Sequence, residues 1–247
     1  MVEIIIPTYQ NAYWLKRCIQ SLSDAKMPEI SKVHIVDNGG DFYESAYFCP
    51  GITLSVSKPG RNLGWTSALT SVMPHVKSEF VLLLNDDTEF ERLPDRLALM
   101  LRHFRDPKVA AVGPATGIAM GAQAIPGPDI ERVKVLIGFC MLLRKSALDE
   151  IGGLDESFPN GGDDFDVCIR LADAGYKLVL DRRVFVYHHA FKTGQRLFGK
   201  ANIPGGWNSQ EMATDVYARI ERKHGRERLL EMLQDPAYSP EVTRLGD

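Results

Sequence analysis

The sequence has no apolar stretch approaching the roughly 20 residues that a helix needs to cross a bilayer, so no membrane span is expected. It has no surplus of positive charge. Its 29 Lys and Arg against 32 Asp and Glu leave a net charge of -3, which argues against a nucleic-acid coat and leaves room only for local basic patches. Cysteine is scarce. Cys18, Cys49, Cys140 and Cys168 stand apart among apolar residues, and no pair has metal-site spacing. Buried thiols in a reducing cytoplasm are expected. The opening, Met1-Val2-Glu3, has neither the basic region nor the cleavage site of a secretory signal, which gives the same cytoplasmic expectation. There is no internal repeat and no low-complexity segment. Gly60 and Gly64 fit neither a P-loop nor a dinucleotide fingerprint, which sets aside a kinase and a dinucleotide dehydrogenase.

What is present is a chain of 247 residues, 45% hydrophobic, enough for one large core or two closely packed halves. Its centre is Phe80 to Thr88, an apolar run that ends in Asn85-Asp86-Asp87. Such a run reads as a strand buried on both faces of a parallel sheet. Ligands of these sheets bind beyond the carboxyl ends of the strands. Two adjacent carboxylates there repel each other and favour a nearby cation, with Mg2+ or Mn2+ suited to oxygen ligands. The same pair can also do no more than cap the next turn.

Around that run the first half alternates strand and helix. Val2 to Ile6, Val33 to Val36 and Ile52 to Val56 read as strands. Leu15, Cys18, Ile19 and Leu22 form one helical face, and Ala68, Leu69, Val72 and Val76 another, which Pro74 should end early. This argues for an α/β, Rossmann-like sheet. Asp37, at a strand end before Gly39-Gly40, suits either a base or ribose contact or an ordinary turn.

Further on, Leu93 to Phe104 reads as a surface helix and Val109 to Val112 as a strand. Thr116 to Asp129 is rich in Gly, Ala and Pro and is expected to be a mobile cover or a plain connector. Val133 to Leu143 reads as one strand with Gly138 at a bulge or close approach. Lys145 to Ile151 reads as a short helix. Asp163 and Asp164 fall at the start of another helix, stopped by Gly175, where the macrodipole should hold carboxylates ionised and their pKa down. Leu178 to Leu180 and Val184 to Tyr187 read as a hairpin-like pair around Asp181 to Arg183. It leads into His188-His189, of which at most one should serve a metal or phosphate. Phe191 to Gly206 is expected to be a basic lid, Asn208 to His224 and Arg226 to Leu233 helices with Met212, Val216 and Ile220 as a core stripe, and the tail from Pro236 loose.

Several motifs then agree in order. They are Ile5 to Asn11 (Ile-Ile-Pro-Thr-Tyr-Gln-Asn), Val36 to Gly40 (Val-Asp-Asn-Gly-Gly), Asn62 to Trp65 (Asn-Leu-Gly-Trp) and Leu84 to Thr88 (Leu-Asn-Asp-Asp-Thr). Gly138 to Arg144, Gly152 to Phe158, Gly162 to Leu171, Val186 to His189 and Lys223-His224-Gly225 complete the set. From about residue 2 to residue 225 the sequence resembles an inverting family 2 glycosyltransferase of GT-A fold, especially the rhamnosyltransferase-like bacterial branch. The resemblance implies a Rossmann-like mixed central sheet flanked by helices, with C-terminal helices. It implies a single domain over 1–247, with 1–115 as the nucleotide-sugar half, 116–206 as the acceptor and catalytic half, and 207–247 as helices and tail.

The resemblance also implies roles. Thr8, Tyr9 and Asp37 would hold the base and ribose of a UDP-, dTDP- or GDP-linked sugar, with Asn62 nearby. Pro7, Asn11, Asn38, Arg61, Gly64 and Gly138 would complete the substrate-binding set. Asn85-Asp86-Asp87 stands at the family's Asp-x-Asp motif, with Asn85 a departure. Asp87 would ligate Mn2+ or Mg2+, Asp86 would meet the ribose or a metal-bound water, and His188 would meet the metal or diphosphate. Asp164 would be the base, and Asp163 stands where the family has Glu. The acceptor would be a hydroxyl of a glycan, a lipid-linked sugar, a protein or another molecule. A lipid-linked acceptor would bring the chain to the inner membrane surface. Two alternatives are a catalytically degenerate nucleotide- or sugar-binding module and a sugar nucleotidyltransferase. The latter would normally carry a glycine-rich basic loop after the first strand, where this chain has Pro7 to Asn11.

Overall fold

The computed structural model describes residues 1–42, 50–119, 121–159, 161–190, 192–193 and 210–233, and of 210–214 and 233 the backbone alone. Cys49, the expected lid from residue 194 on, the Met212 side chain and the tail from Pro236 lie outside the described residues.

The apolar runs do become strands: β1 (Val2–Thr8), β2 (Ile30–Asp37), β3 (Leu54–Ser57) and β4 (Phe80–Leu84). They lie parallel in the order β3-β2-β1-β4. Strand order reverses between β1 and β4, because β2 and β3 build to one side and β4 to the other. That reversal is where a ligand crevice opens in an α/β sheet. Beyond β4 the sheet becomes mixed. β8 (Cys140–Arg144) lies antiparallel between β4 and β6 (Val109–Ala115), and β9 (Lys177–His188) runs parallel to β6. β5 (Thr88–Phe90) and β7 (Ile130–Val133) both pair antiparallel with β9.

Side-chain alternation sorts the core into two clusters, one per face. Ile4, Ile6, Leu82 and Leu84 pack with Leu15, Ile19 and Leu22 of α1 (Ala12–Ala25) and with Leu97 and Met100 of α3 (Arg96–Arg102). Ile5, Val81 and Leu83 pack with Leu69 of α2 (Thr66–Val72), Leu148 of α4 (Lys145–Glu150) and Val167 and Leu171 of α5 (Asp163–Asp173). Ile220 of α6 (Gln210–His224) and Leu229 of α7 (Arg226–Leu233) close the same side. A strand covered on both faces has apolar residues at every position, as β4 does.

Local signals account for several boundaries. α2 stops at Val72 and continues only as a tight turn over Met73–His75, because Pro74 cannot donate to the helix. α3 starts three residues later than the pattern suggested and ends in a similar turn at His103–Arg105. Before α5, Gly162 has φ +84°, and a Cβ there would lie 2.9 Å from Val216 of α6. Both the left-handed backbone and the close approach require glycine.

Two expectations are corrected, and a third segment is decided between its two readings. Val133 to Leu143 is not one strand. It divides into β7 and β8, which pair with different neighbours, with Gly138 in the irregular link between them. The hairpin around Asp181 to Arg183 is instead one continuous strand, β9, with an irregularity where Pro114 meets Asp181 and Ala115 meets Phe185. Asp181 is buried there because His103 (2.7 Å) and the Arg183 guanidinium (2.6 and 2.8 Å) hold its carboxylate. The segment 116–129 is an anchored connector. Arg182 donates to the carbonyls of Ala122, Ile125 and Pro128, while buried Gln123 bonds Pro114 O and Ile137 N.

Candidate active site

The end of β1 and the end of β4 meet through side chains. Thr8 Oγ1 donates to Asp86 Oδ2 at 2.7 Å, and Asn11 Nδ2 donates to Asp86 Oδ1 at 2.9 Å. Burial, and then the charge of Asp87, push the Asp86 carboxyl up to about 8, against the lowering effect of those two bonds. Thr88 Oγ1 donates to Asn85 O at 2.8 Å and closes the turn. Cys18 lies under this loop, and its buried thiol is pushed up to about 12, which removes it as a nucleophile.

Asp87 faces the other way, toward the end of β9. Its Oδ1 is 3.5 Å from His188 Nε2, and its Oδ2 is 3.4 Å from the backbone N of Lys192. His188 Nδ1 lies 2.9 Å from Ile118 O, an acceptor, so that nitrogen carries the proton. Nε2 then presents a lone pair toward Asp87 and toward Asn85 Nδ2, 3.2 Å away. The ring is stacked on Phe139 at 4.8 Å, which fixes its plane. The His189 ring points elsewhere, to Glu89 (2.6 Å) and to a tilted contact with the Trp14 ring at 4.3 Å. Of the adjacent histidines only His188 turns its side chain to the acidic loop, while His189 meets it through the backbone, its N–H donating to Asp87 O at 2.9 Å.

A second carboxylate pair opens α5. Asp164 Oδ2 accepts from Gly138 N at 3.1 Å and Oδ1 from Phe165 N at 2.9 Å. Asp163 is buried, and its Oδ2 accepts from the Trp65 indole N–H at 2.9 Å. The expectation that the helix terminus holds both pKa values down is overturned. Burial, and then the charge of Asp164, lift Asp163 to about 8, and burial raises Asp164 as well. Loss of water outweighs the helix dipole, whose effect is small by comparison.

Consecutive residues join the two clusters. Gly138 N donates to Asp164, while Phe139 stacks on His188 and its carbonyl accepts from Asn85 N at 2.9 Å.

The sequence profile of Glycosyl transferase family 2 matches residues 3–129. The chain belongs to this family. Among curated relatives of this family 2 chain, a pre-mycofactocin glycosyltransferase of Mycobacterium tuberculosis is 26% identical over 76% of the chain. An N-acetylglucosaminyl-diphospho-decaprenol L-rhamnosyltransferase of the same species is 26% identical over 79% of the chain and 78% of its own length. The chain spans 29% and 42% of the length of two other curated relatives that it matches, the second of them that pre-mycofactocin enzyme. Among solved structures, the mannosyltransferase PcManGT from Pyrobaculum calidifontis, in complex with GDP-Man and Mn2+, superposes with a TM-score of 0.63. It is 17% identical and covers 99% of this chain and 83% of its own. That likeness is one of fold, and the fold is GT-A.

The donor set of this family 2 chain suits a divalent cation. A carboxylate oxygen and an imidazole lone pair face each other, and neither can donate to the other. Among the described residues no group of three or more His, Cys, Asp or Glu could hold a metal. Mg2+-type sites commonly take one or two protein ligands and complete the shell with phosphate oxygens and water.

The remaining sequence candidates divide. Pro7 and Thr8 end β1 in register with Val36 and Asp37 of β2. Asp37 accepts the backbone N–H groups of Gly40, Asp41 and Phe42, so it shapes the turn that was one of its two readings. Asn38 bridges Leu63 N and Gly64 O, and Asn62 Oδ1 accepts Gly64 N. Arg61 is exposed on that loop, and Tyr9 is half-buried beside Thr8. Sequence reasoning assigned no role to Trp65 or Phe139, although both lie inside quoted motifs. The ring contact and the indole bond that give them roles are long-range.

Proposed function

We propose that the chain is a metal-dependent, inverting glycosyltransferase that moves a sugar from a nucleoside-diphosphate sugar to an acceptor hydroxyl. The observation that carries this reading is the Gly138–Phe139 bridge, which brings the acidic loop at the β1/β4 reversal and the Asp163–Asp164 pair to one place. The relatives named as glycosyltransferases and the fold shared with PcManGT support it.

In this reading Asp87 and His188 would hold Mn2+ or Mg2+, and the cation would supply positive charge at the diphosphate. Thr8 and Asn11 keep Asp86 turned inward, where it would meet the ribose or a water on the cation. Residues 37–38 and 61–64 bound the base and ribose. Asp164 takes the proton from the acceptor hydroxyl, and that oxygen attacks the anomeric carbon from the face opposite the leaving group. A carboxylate whose pKa is raised by burial is a stronger base than a free one, and its two backbone bonds fix its direction. UDP-, dTDP- and GDP-linked donors remain the candidates, and the acceptor is a glycan, lipid-linked sugar or protein hydroxyl. Among the described residues no helix is long and apolar enough to cross a membrane, so a lipid-linked acceptor would be met at the membrane surface.

Thermal melting against UDP, dTDP, GDP and their sugars, with and without Mn2+, tests the donor side. A ligand at about 100 times its dissociation constant adds roughly 2.7 kcal/mol to stability. One nucleotide is expected to raise the melting temperature with Mn2+ and much less without it, and Asp87→Ala is expected to lose the Mn2+ effect. No shift with any nucleotide would favour the degenerate module. On the acceptor side, Asp164→Asn should cut transfer by at least about a hundredfold while nucleotide binding is kept. A variant that still turns over would remove Asp164 as base.

A further inference from the structure

Trp65 stands between two parts of the site without belonging to either. Its indole N–H donates to Asp163 Oδ2 at 2.9 Å, and its backbone N donates to Pro159 O at 3.1 Å. The next two residues are fastened to the same stretch. Thr66 Oγ1 donates to Phe158 O at 2.5 Å, and Ser67 Oγ donates to Glu156 at 2.6 Å. On its other side, Leu63 and Gly64 are held by Asn38, the neighbour of Asp37. A chain of short polar contacts therefore runs from the turn after β2, through residues 63–65, to the first residue of α5.

A buried carboxylate with a single side-chain donor takes its direction from that donor. Asp163 is 7% exposed. Losing its only side-chain donor leaves a buried oxygen of Asp163 unmet, whichever way the carboxyl is protonated. The indole is rigid, with two rotatable bonds, so it fixes the acceptor as well as satisfying it.

We propose that Trp65 is a positioning residue, which orients Asp163 and so ties the start of α5, with Asp164 on it, to the donor-side loop 62–64. This rests on the reading of Asp164 as the base. Trp65 touches no reacting atom. Its effect passes through Asp163 and the first turn of α5, and it falls on turnover rather than on nucleotide affinity.

A double-mutant cycle tests it. The reaction followed is release of the nucleoside diphosphate from the nucleotide sugar that shifts the melt, with water as acceptor. Trp65→Phe keeps the ring and removes the N–H. It is expected to lower kcat about tenfold with KM near that of the wild type, and to lower the melting temperature by no more than roughly 10 °C, so that the chain stays folded at the assay temperature. Asp163→Asn lowers kcat as well, and the double variant is no slower than Asp163→Asn alone, because the second change removes a contact already gone. Effects that multiply would overturn the proposal. So would a Trp65→Phe enzyme that turns over at the wild-type rate.

A second readout needs no turnover. The Trp65 indole proton should exchange with solvent about tenfold faster in Asp163→Ala than in the wild type, followed by NMR and assigned with Trp65→Phe. An unchanged exchange rate overturns the pairing. Failure of the wider reading looks different. Full turnover in Asp164→Asn removes the base and leaves the Trp65–Asp163 contact standing. A dead Asp164→Asn beside a multiplicative cycle sinks this inference alone.

Discussion

The residue whose surroundings conflict most is Asp163. In an unfolded chain its carboxyl would titrate near the usual value of about 3.9. Folded, burial and then the charge of Asp164 raise it to about 8. Between those two values the native chain binds a proton that the unfolded chain releases. Asp163 therefore supports the fold fully below about pH 4, and this support is lost as the pH rises through about 8. Asp163→Asn removes the titration. The variant is expected to be more stable than the wild type at alkaline pH and to show a flatter dependence between about pH 4 and 8. Urea midpoints at acidic, neutral and alkaline pH measure it. Parallel curves for the two proteins would mean that Asp163 keeps an ordinary pKa in the fold. The sequence showed that two carboxylates begin a helix, and the dipole argument followed from that alone. It did not show the burial that reverses the sign, because Trp65, which bonds Asp163, and Val216 of α6, which packs on the preceding Gly162, lie far away in sequence. Asp86 makes the same point. Its neighbours in sequence were legible, but Thr8 and Asn11, 78 and 75 positions away, decide which way it faces.

Among elements, α6 matters beyond the apolar stripe that predicted it. Asp166, wholly buried one turn into α5, receives Lys223 Nζ at 2.6 Å and His224 Nε2 at 2.7 Å on one oxygen. Its other oxygen receives Arg170 twice, at 2.6 and 2.8 Å, and Arg170 also reaches Ile151 O and Gly153 O. Three cationic or hydrogen-bonding groups thus converge on one carboxylate that locks the base-bearing helix to α6. Removing that carboxylate leaves its partners facing one another. Asp166→Ala is expected to cost about 3 kcal/mol, the lower end for breaking a buried pair, since Lys223 still reaches water. Equilibrium urea unfolding checks it, and a loss within experimental scatter would show the cluster to be mere surface charge. Lys223-His224-Gly225 was legible as a motif, but its partner was not. The strands repeat the lesson. β1, β2 and β4 were readable because burial on both faces gives unbroken apolar runs. β9 read as a hairpin because Asp181-Arg182-Arg183 looks like a turn, and the contact with distant His103, added to that of neighbouring Arg183, explains how that carboxylate enters a sheet.

For the whole molecule, the decisive feature is that one strand set serves both cores. β1 and β4 send alternate residues to opposite faces, so Leu82 lies among α1 and α3 while Leu83 lies among α2, α4 and α5. The order β3-β2-β1-β4-β8-β6-β9 puts β4 near the middle, between the parallel strands and the antiparallel β8. The acidic loop leaves from its carboxyl end. Alternating strands and helices made the parallel half predictable, whereas the insertion of β8 between β4 and β6 is set by pairing that no local pattern encodes. A shared wall has a thermodynamic consequence. A cavity opened on either face weakens the same strand, and therefore the whole sheet. Leu82→Ala and Leu83→Ala should each cost about 2–5 kcal/mol and lower the melting temperature by roughly 4–20 °C. Calorimetry should give one peak in each case, displaced as a whole, and the far-ultraviolet circular dichroism should fall with the fluorescence of Trp65, which packs on the Leu83 side. If Leu82→Ala instead splits the peak and leaves the Trp65 transition in place, the two faces melt independently. The acidic loop and the Asp163–Asp164 pair would then rest on separate supports, joined only through Gly138 and Phe139.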